Sequence, residues 1–270
     1  MKLQGARVLL TGAAGGIGRC VAAGLAERGA RLLLLDRDEP ALARLMEDSS
    51  MLVASSSTLA ADLAREETAA LAVETARRRL GGLDVLVNNA GVLDFAPLEL
   101  ERPQDIEATF RINVLAPVLL SRAALAGFRR QGAGHIVNVG SIFGSIAFPW
   151  FASYSASKFA IRGFSEALRR ELAGSGIRVT YVAPRATATP LATIFGRMAE
   201  ATGMPLDAPE VVARQVIAAV ESDAKDRYLG KAEPFFVRLN AVLPRLVDRA
   251  LAGKTGQMEP FAREAACRRC

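Results

Sequence analysis

The sequence predicts a doubly wound α/β fold: a parallel sheet of about seven strands with helices on both faces. Three observations predict it. Short, continuously apolar runs alternate with helix-length stretches, a glycine-rich turn follows the first run directly, and no repeat or low-complexity linker divides the 270 residues. Apolar runs without polar alternation belong to strands buried on both faces, and their alternation with helices implies parallel pairing. A hydrophobic share of 51% against 23% charged residues is enough to fill a core and argues against disorder. Residues 1–232 are expected to form the body, and residues 233–270 a helical extension and tail of the same domain.

Arg7 to Thr11 reads as the first strand, ending in the glycine turn, with a helix from Ile17 to Arg28. Arg31 to Leu35 is a second buried strand, closed by Asp36, and a helix follows from Pro40 to Glu47. A weaker strand at Thr58 to Ala61 leads to Asp62, and Glu66 to Leu80 is helical until Gly81 and Gly82 end it. Leu83 to Val87 is the fourth strand, before a long helical stretch from Pro103 to Arg130. His135 to Val139 is the fifth strand and stops at Ser141. Ser153 is placed to cap a helix running to Ala173. Arg178 to Val182 and Arg227 to Gly230 supply the last two strands.

Composition narrows the partners. Net charge is +6, and the segment from Lys231 to Cys270 alone carries eight basic residues against four acidic ones. The rest of the chain is nearly balanced and lacks a basic element interleaved with aromatics, so no nucleic acid is expected. No run of eighteen apolar residues is present, so no membrane-spanning helix is expected. The N-terminus enters a strand without the apolar stretch of a secretory signal, and three cysteines cannot build a disulfide framework. A cytoplasmic protein is the expectation. Cys267 and Cys270 have CxxC spacing but no second ligand pair, and the only histidine, His135, is remote in sequence. No metal is expected, and the tail reads as mobile. His135 itself precedes a strand without an evident partner and is not expected to be catalytic.

The chemistry sits in separated motifs. The turn Thr11-Gly12-Ala13-Ala14-Gly15-Gly16-Ile17-Gly18 joins a strand to a helix. Glycines let backbone approach a pyrophosphate, and the helix N-terminus offers amide donors and a favourable dipole. The spacing differs from the common GxGxxG, so its position between strand and helix carries much of the reading. Asp36, about twenty residues on, is placed to accept ribose hydroxyls and to repel a 2′-phosphate. Arg37 beside it would instead suit that phosphate, so NAD is favoured and NADP is the alternative. Tyr154 and Lys158, four apart on a helix, project from one face, where an ammonium would lower the phenol pKa.

Taken in order and at their spacing, the turn from Thr11 to Gly18, Asp62, Asn88-Asn89-Ala90-Gly91, Asn113, Ser141, Tyr154 and Lys158 resemble the short-chain dehydrogenase/reductase family in its compact, Rossmann-type branch. The likeness spans roughly Lys2 to Gly230. It implies that Tyr154 exchanges a proton with the substrate oxygen, that Lys158 lowers the Tyr154 pKa and bonds the nicotinamide ribose, and that Ser141 positions the substrate. It implies that Asn113 holds a water of the proton relay, Asp62 contacts adenine beside Leu63, Asn89, Ala90 and Gly91 lie along the cofactor, and Asn88 braces the central strand. Pro184 and Thr189 would border the nicotinamide. The chain departs from the family in having Arg185 where a glycine is usual, which would restrict the backbone there. An intact Asn–Ser–Tyr–Lys set implies an NAD(P)-dependent oxidoreductase of alcohols and ketones. A dinucleotide sensor or scaffold with little catalysis is the alternative reading, and a homodimer or homotetramer packed through long helices is implied.

Between the fifth strand and the catalytic helix, Ile142, Phe143, Ile146, Phe148, Trp150 and Phe151 make an apolar loop, and Phe195, Met198 and Met204 follow in the substrate loop. They favour a lipophilic alcohol or ketone, unless they only pack the loop. From Phe235 to Leu251, Phe235, Leu239, Val242, Leu243, Leu246, Val247 and Ala250 recur at helical spacing, with Arg238, Arg245 and Arg249 between them and Pro244 dividing or starting a helix. Such a stripe fits a subunit interface or pocket lid before it fits peripheral contact with an anionic membrane.

Overall fold

The apolar runs form β1 (Arg7–Thr11), β2 (Arg31–Asp36), β3 (Ser56–Ala60), β4 (Val85–Asn88), β5 (Gly134–Val139), β6 (Ile177–Ala183) and β7 (Asp226–Tyr228). All neighbours pair in parallel, in the order β3-β2-β1-β4-β5-β6-β7. The computed structural model describes residues 1–188 and 193–268. The winding direction reverses between β1 and β4, which makes a crevice at their carboxyl ends. Pairing of Leu9 with Leu86 and Leu10 with Val87 brings Thr11 level with Asn88 at that edge.

Side chains alternate across the sheet and meet a different helical layer on each face. Val8, Leu10, Leu32 and Leu34 pack under α1 (Gly16–Ala26), α2 (Glu39–Glu47), α3 (Ser50–Ser55) and α9 (Pro209–Ser222). Leu9, Leu33, Leu86 and Ile136 pack under α4 (Glu67–Leu80), α6 (Ala116–Gln131) and α7 (Ala152–Glu171). Between α5 (Pro103–Phe110) and α6 the long helix takes one wide turn, Arg111–Leu115, in which the Ala116 N–H bonds the Arg111 carbonyl. By length and hydropathy alone the stretch Pro103–Gln131 is long and apolar enough to cross a membrane, although it contains no run of eighteen apolar residues. Here Leu120, Ala124 and Phe128 are buried against the sheet.

Several local expectations change. Ser153 is not the cap of α7: the helix begins one residue before it, and Phe151 is the flanking residue. The helix α3 follows a Ser49 cap whose hydroxyl accepts the Leu52 N–H, a signal hidden among consecutive serines. His135 has a partner: it is fully buried, with Nε2 2.8 Å from Thr180 Oγ1, and burial pushes its pKa down to about 4.

The extension folds as α10 (Glu233–Val242) and α11 (Pro244–Cys267), so the tail is helical through Cys267 rather than mobile. Pro244 starts the second helix, as a residue without a free N–H suits. The two helices join α8 (Thr193–Ala201) and the loop after β5 in a third cluster that includes Phe95, Phe143, Phe151, Phe195 and Met258. Of the predicted stripe, Val247 packs against this cluster but most members do not. Phe235, Val242, Leu243 and Leu246 are exposed, and Val237 and Met258 face inward in their place.

Candidate active site

At the end of β1 the chain must turn sharply into α1 while leaving its amides uncovered. Gly12 does so at φ +63°, with an added Cβ only 2.7 Å from the Ala90 Cα. At Gly18 an added Cβ would stand 1.9 Å from the Gly12 carbonyl oxygen, so the first turn of α1 closes on the loop only with glycine there. Thr11 holds the two central strands together. Its Oγ1 accepts the N–H groups of Asn89 (3.0 Å) and Ala90 (3.1 Å) and donates to the Val87 carbonyl. The Asn89 carboxamide donates to the Thr11 and Gly12 carbonyls at 3.1 Å, so it braces the glycine turn from behind. Asn88 donates to Asn138 Oδ1 (2.8 Å), and Asn138 to Ser165 Oγ (2.8 Å), across β4, β5 and α7.

Asp36 sits at the tip of β2, accepting Ala14 N–H on Oδ2 (3.0 Å) and Asp38 N–H on Oδ1 (3.2 Å). A carboxylate has about four lone-pair sites, so acceptor capacity remains on both oxygens. Arg37 is exposed beside it. Asp62 is exposed as well, its Oδ1 accepting the Ala64 N–H (2.9 Å). A cavity of about 730 Å³ runs along this edge. It is lined by Gly12, Gly15, Gly16, Ile17 and Gly18 of the turn, and by Asp36, Arg37, Asp62 and Leu63 beyond it. Asn89, Ala90 and Gly91 carry it on towards Ser141, Tyr154, Lys158 and Pro184. Asn113 lies behind the wall, and Thr189 lies outside the described residues.

At the other end of the cavity, Tyr154 and Lys158 share a face of α7, with Nζ 5.5 Å from the ring centroid and 3.4 Å from the Val139 carbonyl. The Ser141 side chain lies close enough to the Tyr154 hydroxyl to influence its ionisation. Burial pushes the phenol up to about 12, against the smaller opposing pull of Ser141. Burial also pushes Lys158 down to about 8. The sequence expectation of a phenol lowered by Lys158 is thus outweighed, because desolvation opposes the charged form of both groups and the ammonium stands over the ring. Asn113 projects from the wide turn. Its Oδ1 accepts Val92 N–H (2.9 Å), and its Nδ2 donates to the Val92 carbonyl (2.9 Å) and Ser157 Oγ (3.0 Å). A Cβ on Gly91 would lie 3.3 Å from Asn113 Oδ1 and 3.5 Å from Lys158 Nζ, so both atoms border the same point.

The supporting roles of two residues are not given by the sequence, although Arg185 stands out there as a departure from the family. Tyr181, fully buried in β6, donates to the Ser141 carbonyl (2.9 Å) and accepts the Ser141 N–H, fixing the backbone that carries Ser141. A tyrosine inside an apolar strand reads only as core. Arg185 is the other. Its guanidinium bonds both oxygens of Asp207 and reaches Glu233 Oε1 at 3.1 Å, which ties β6 to the substrate loop and to the start of α10. Its backbone is not left-handed, so replacing a glycine there carries no strain.

The apolar loop after β5 packs on itself and on the segment after β4: Phe143 stacks on Phe148, and Phe151 on Phe95, with centroids 4.5 and 4.6 Å apart. Phe143 and Phe195 still face the main cavity, and Val92, Leu93 and Phe195 are shared with a second cavity of about 420 Å³ under α11. Among the described residues no cluster of metal-ligating side chains is present.

A parallel sheet with a glycine turn at its switch point and a Tyr–Lys pair at the same edge defines a dinucleotide-type α/β enzyme. The comparisons narrow the class. The short chain dehydrogenase family model matches residues 6–199, and the chain belongs to that family of oxidoreductases, which act on CH–OH groups. It is 31% identical to an uncharacterized oxidoreductase, YxnA, of Bacillus subtilis, covering 93% of this chain and 72% of the relative. Estradiol 17-beta-dehydrogenase 11 of Pongo abelii is 30% identical, covering 90% and 80%. The crystal structure of a short-chain dehydrogenase from Streptomyces avermitilis superposes with a TM-score of 0.77 at 28% identity, covering 92% and 98%.

Proposed function

We propose that the chain interconverts a lipophilic secondary alcohol and its ketone, with NAD preferred over NADP and Tyr154 as the acid–base group. The observation that carries this reading is one cavity shared by the glycine turn, Asp36 and the Ser141–Tyr154–Lys158 set. The site fits a dinucleotide on its own geometry. A Cβ at Gly12 or Gly18 would close the turn, and Asp36 retains acceptor capacity for ribose hydroxyls while repelling a 2′-phosphate. Gly12, Gly15, Gly16, Ile17 and Gly18 would hold the phosphates, Asp36 the ribose, and Asp62 and Leu63 the adenine end.

Oxidising a CH–OH carbon removes a hydride and a proton, and a bound nicotinamide supplies the hydride acceptor. The proton falls to this chain. Ser141 holds the alcohol oxygen beside Tyr154; in oxidation the Tyr154 phenolate takes the proton and becomes the hydroxyl, and in reduction that hydroxyl gives the proton up and leaves the phenolate. Lys158, with its pKa near 8, is the group able to exchange a proton near neutral pH, and it shares the space beside Gly91 with Asn113. Phe143 and Phe195 on the cavity wall support an apolar substrate, and a relative is named for estradiol, an apolar alcohol. Exposed Phe110, Leu115 and Phe159 on the α5–α7 side support pairing with a second copy there.

The test offers NAD and NADP to a panel of lipophilic secondary alcohols and follows the absorbance of the reduced cofactor. Turnover with NAD that falls about 10²–10⁴-fold in Tyr154→Phe, with cofactor binding retained, is the expected result. Asp36→Ala should shift the ratio of rates towards NADP. Absence of turnover in either direction across the panel and its ketones would overturn the substrate reading.

A further inference from the structure

We propose that the outer face of α10 and the start of α11 is a docking surface for an anionic lipid bilayer. At 100° per residue, Val237 and Asn240 point α10 inward: Val237 is buried and Asn240 bonds the Ser145 carbonyl (2.9 Å). The opposite side then carries Phe235, Leu239 and Val242. Phe235 is 61% exposed and Val242 75%. Phe236, 5.6 Å from Phe235 between ring centroids, and Leu243 and Leu246 extend the patch across the helix junction, all of them exposed. Five large apolar side chains in solvent within twelve residues form a contiguous patch rather than scattered surface hydrophobics.

Charge identifies the occupant. Arg238 and Arg245 lie between the apolar residues in sequence, and Lys231, Arg249 and Lys254 lie to either side of them, all exposed and none ion-paired among the described residues. Of the two acidic residues in this stretch, Glu233 is already held by Arg185, and only Asp248 stands free of an ion pair among the described residues. An apolar stripe flanked by unpaired cations is the geometry of a helix lying in a lipid interface. A second copy fits less well. A twofold contact would set this patch against itself and bring five cations of each chain together with one carboxylate apiece. The inner faces of the same helices hold the loop after β5, through Asn240 on Ser145 and the Trp150 Nε1 bond to the Thr255 carbonyl (3.1 Å). The surface therefore sits on the back of the substrate-side cover. The proposal does not depend on the substrate reading.

The full chain is sedimented with phosphatidylcholine vesicles and with vesicles containing phosphatidylglycerol as well, at low and high salt. Pelleting with the anionic vesicles alone, reversed by salt, is expected. Arg245→Glu with Arg249→Glu should weaken it at least about tenfold. Phe235→Ser with Phe236→Ser should weaken it too, with circular dichroism and cofactor binding unchanged in both variants. The proposal is overturned if the chain stays in the supernatant, or if both variants pellet like the parent. It is equally overturned if the substitutions halve the particle mass in solution without changing the pelleted fraction, which would make the patch an interface between copies.

Discussion

The cofactor end and the substrate-side cover are built in different ways. The cofactor end rests on backbone: Gly12 at φ +63°, Gly18 closed onto the Gly12 carbonyl, and Thr11 and Asn89 tying adjacent strand ends together. The cover rests on side chains: stacked Phe143 and Phe148, Met258 in the third cluster, and Arg185 reaching two other segments. Backbone constructions demand particular residues at fixed places, whereas packed covers accept many combinations of similar volume. One region can therefore stay fixed while the other changes substrate.

The largest effect should come from forcing a side chain into the backbone construction. Gly18→Ala puts a Cβ into the Gly12 carbonyl, and the clash has only backbone to displace. We expect a destabilisation of about 1–3 kcal/mol or more, together with loss of dinucleotide binding, read by chemical unfolding and by cofactor fluorescence. A variant that binds NAD like the parent would erase the distinction between the regions.

Acid should act on the sheet beneath both regions at once. His135 charges at about 6.5 when unfolded but only at about 4 in the fold, where burial opposes the charge. Between those values the unfolded chain holds the extra proton, so stability rises with pH through this window and is lost as pH falls through 4. The contribution is about 3 kcal/mol. His135→Asn should remove this pH-dependent part, seen as a smaller difference in urea midpoint between pH 7 and pH 4. An unchanged difference would mean that carboxylates alone govern acid unfolding.

The smallest and most selective change is expected at Arg185. Arg185→Gly restores the family's usual residue but releases Asp207 and Glu233. Hydrogen bonds to charged groups of this kind are worth about 1.5–3 kcal/mol in all. We expect KM for the alcohol to rise several-fold while the NAD dissociation constant holds, and Arg185→Lys should not rescue it, because an ammonium cannot bridge both Asp207 oxygens. A matching loss of NAD affinity would show that the two regions are mechanically coupled.

The same contrast decides what was legible in the sequence. Apolar runs place β1 and β2 to the residue or nearly so, and the glycine turn, Asp36, Tyr154 and Lys158 meet in one cavity as their order implies. The roles of Tyr181 and Arg185 were not legible, since each depends on contacts forty or more residues away, to Ser141 and to Glu233. Periodicity found the stripe from Phe235 to Leu246 but could not say which face turns inward. That depends on Val237 and Asn240 meeting the loop after β5. The phenol pKa was misjudged because spacing reports a neighbouring charge and not the desolvation that both groups undergo together.

The wide turn at Arg111–Leu115 also sets a count. An α-helix along this path would need one residue fewer, so a single deletion at Ile112 leaves a continuous helix and a sheet with its layers intact. Such a deletion keeps the two flanks in register but draws Asn113 out of the wide turn into the regular helical ladder, and its carboxamide then no longer faces Val92 and Ser157. For protein engineers, the surplus residue is thus a place where shortening the chain by one amino acid separates foldability from turnover.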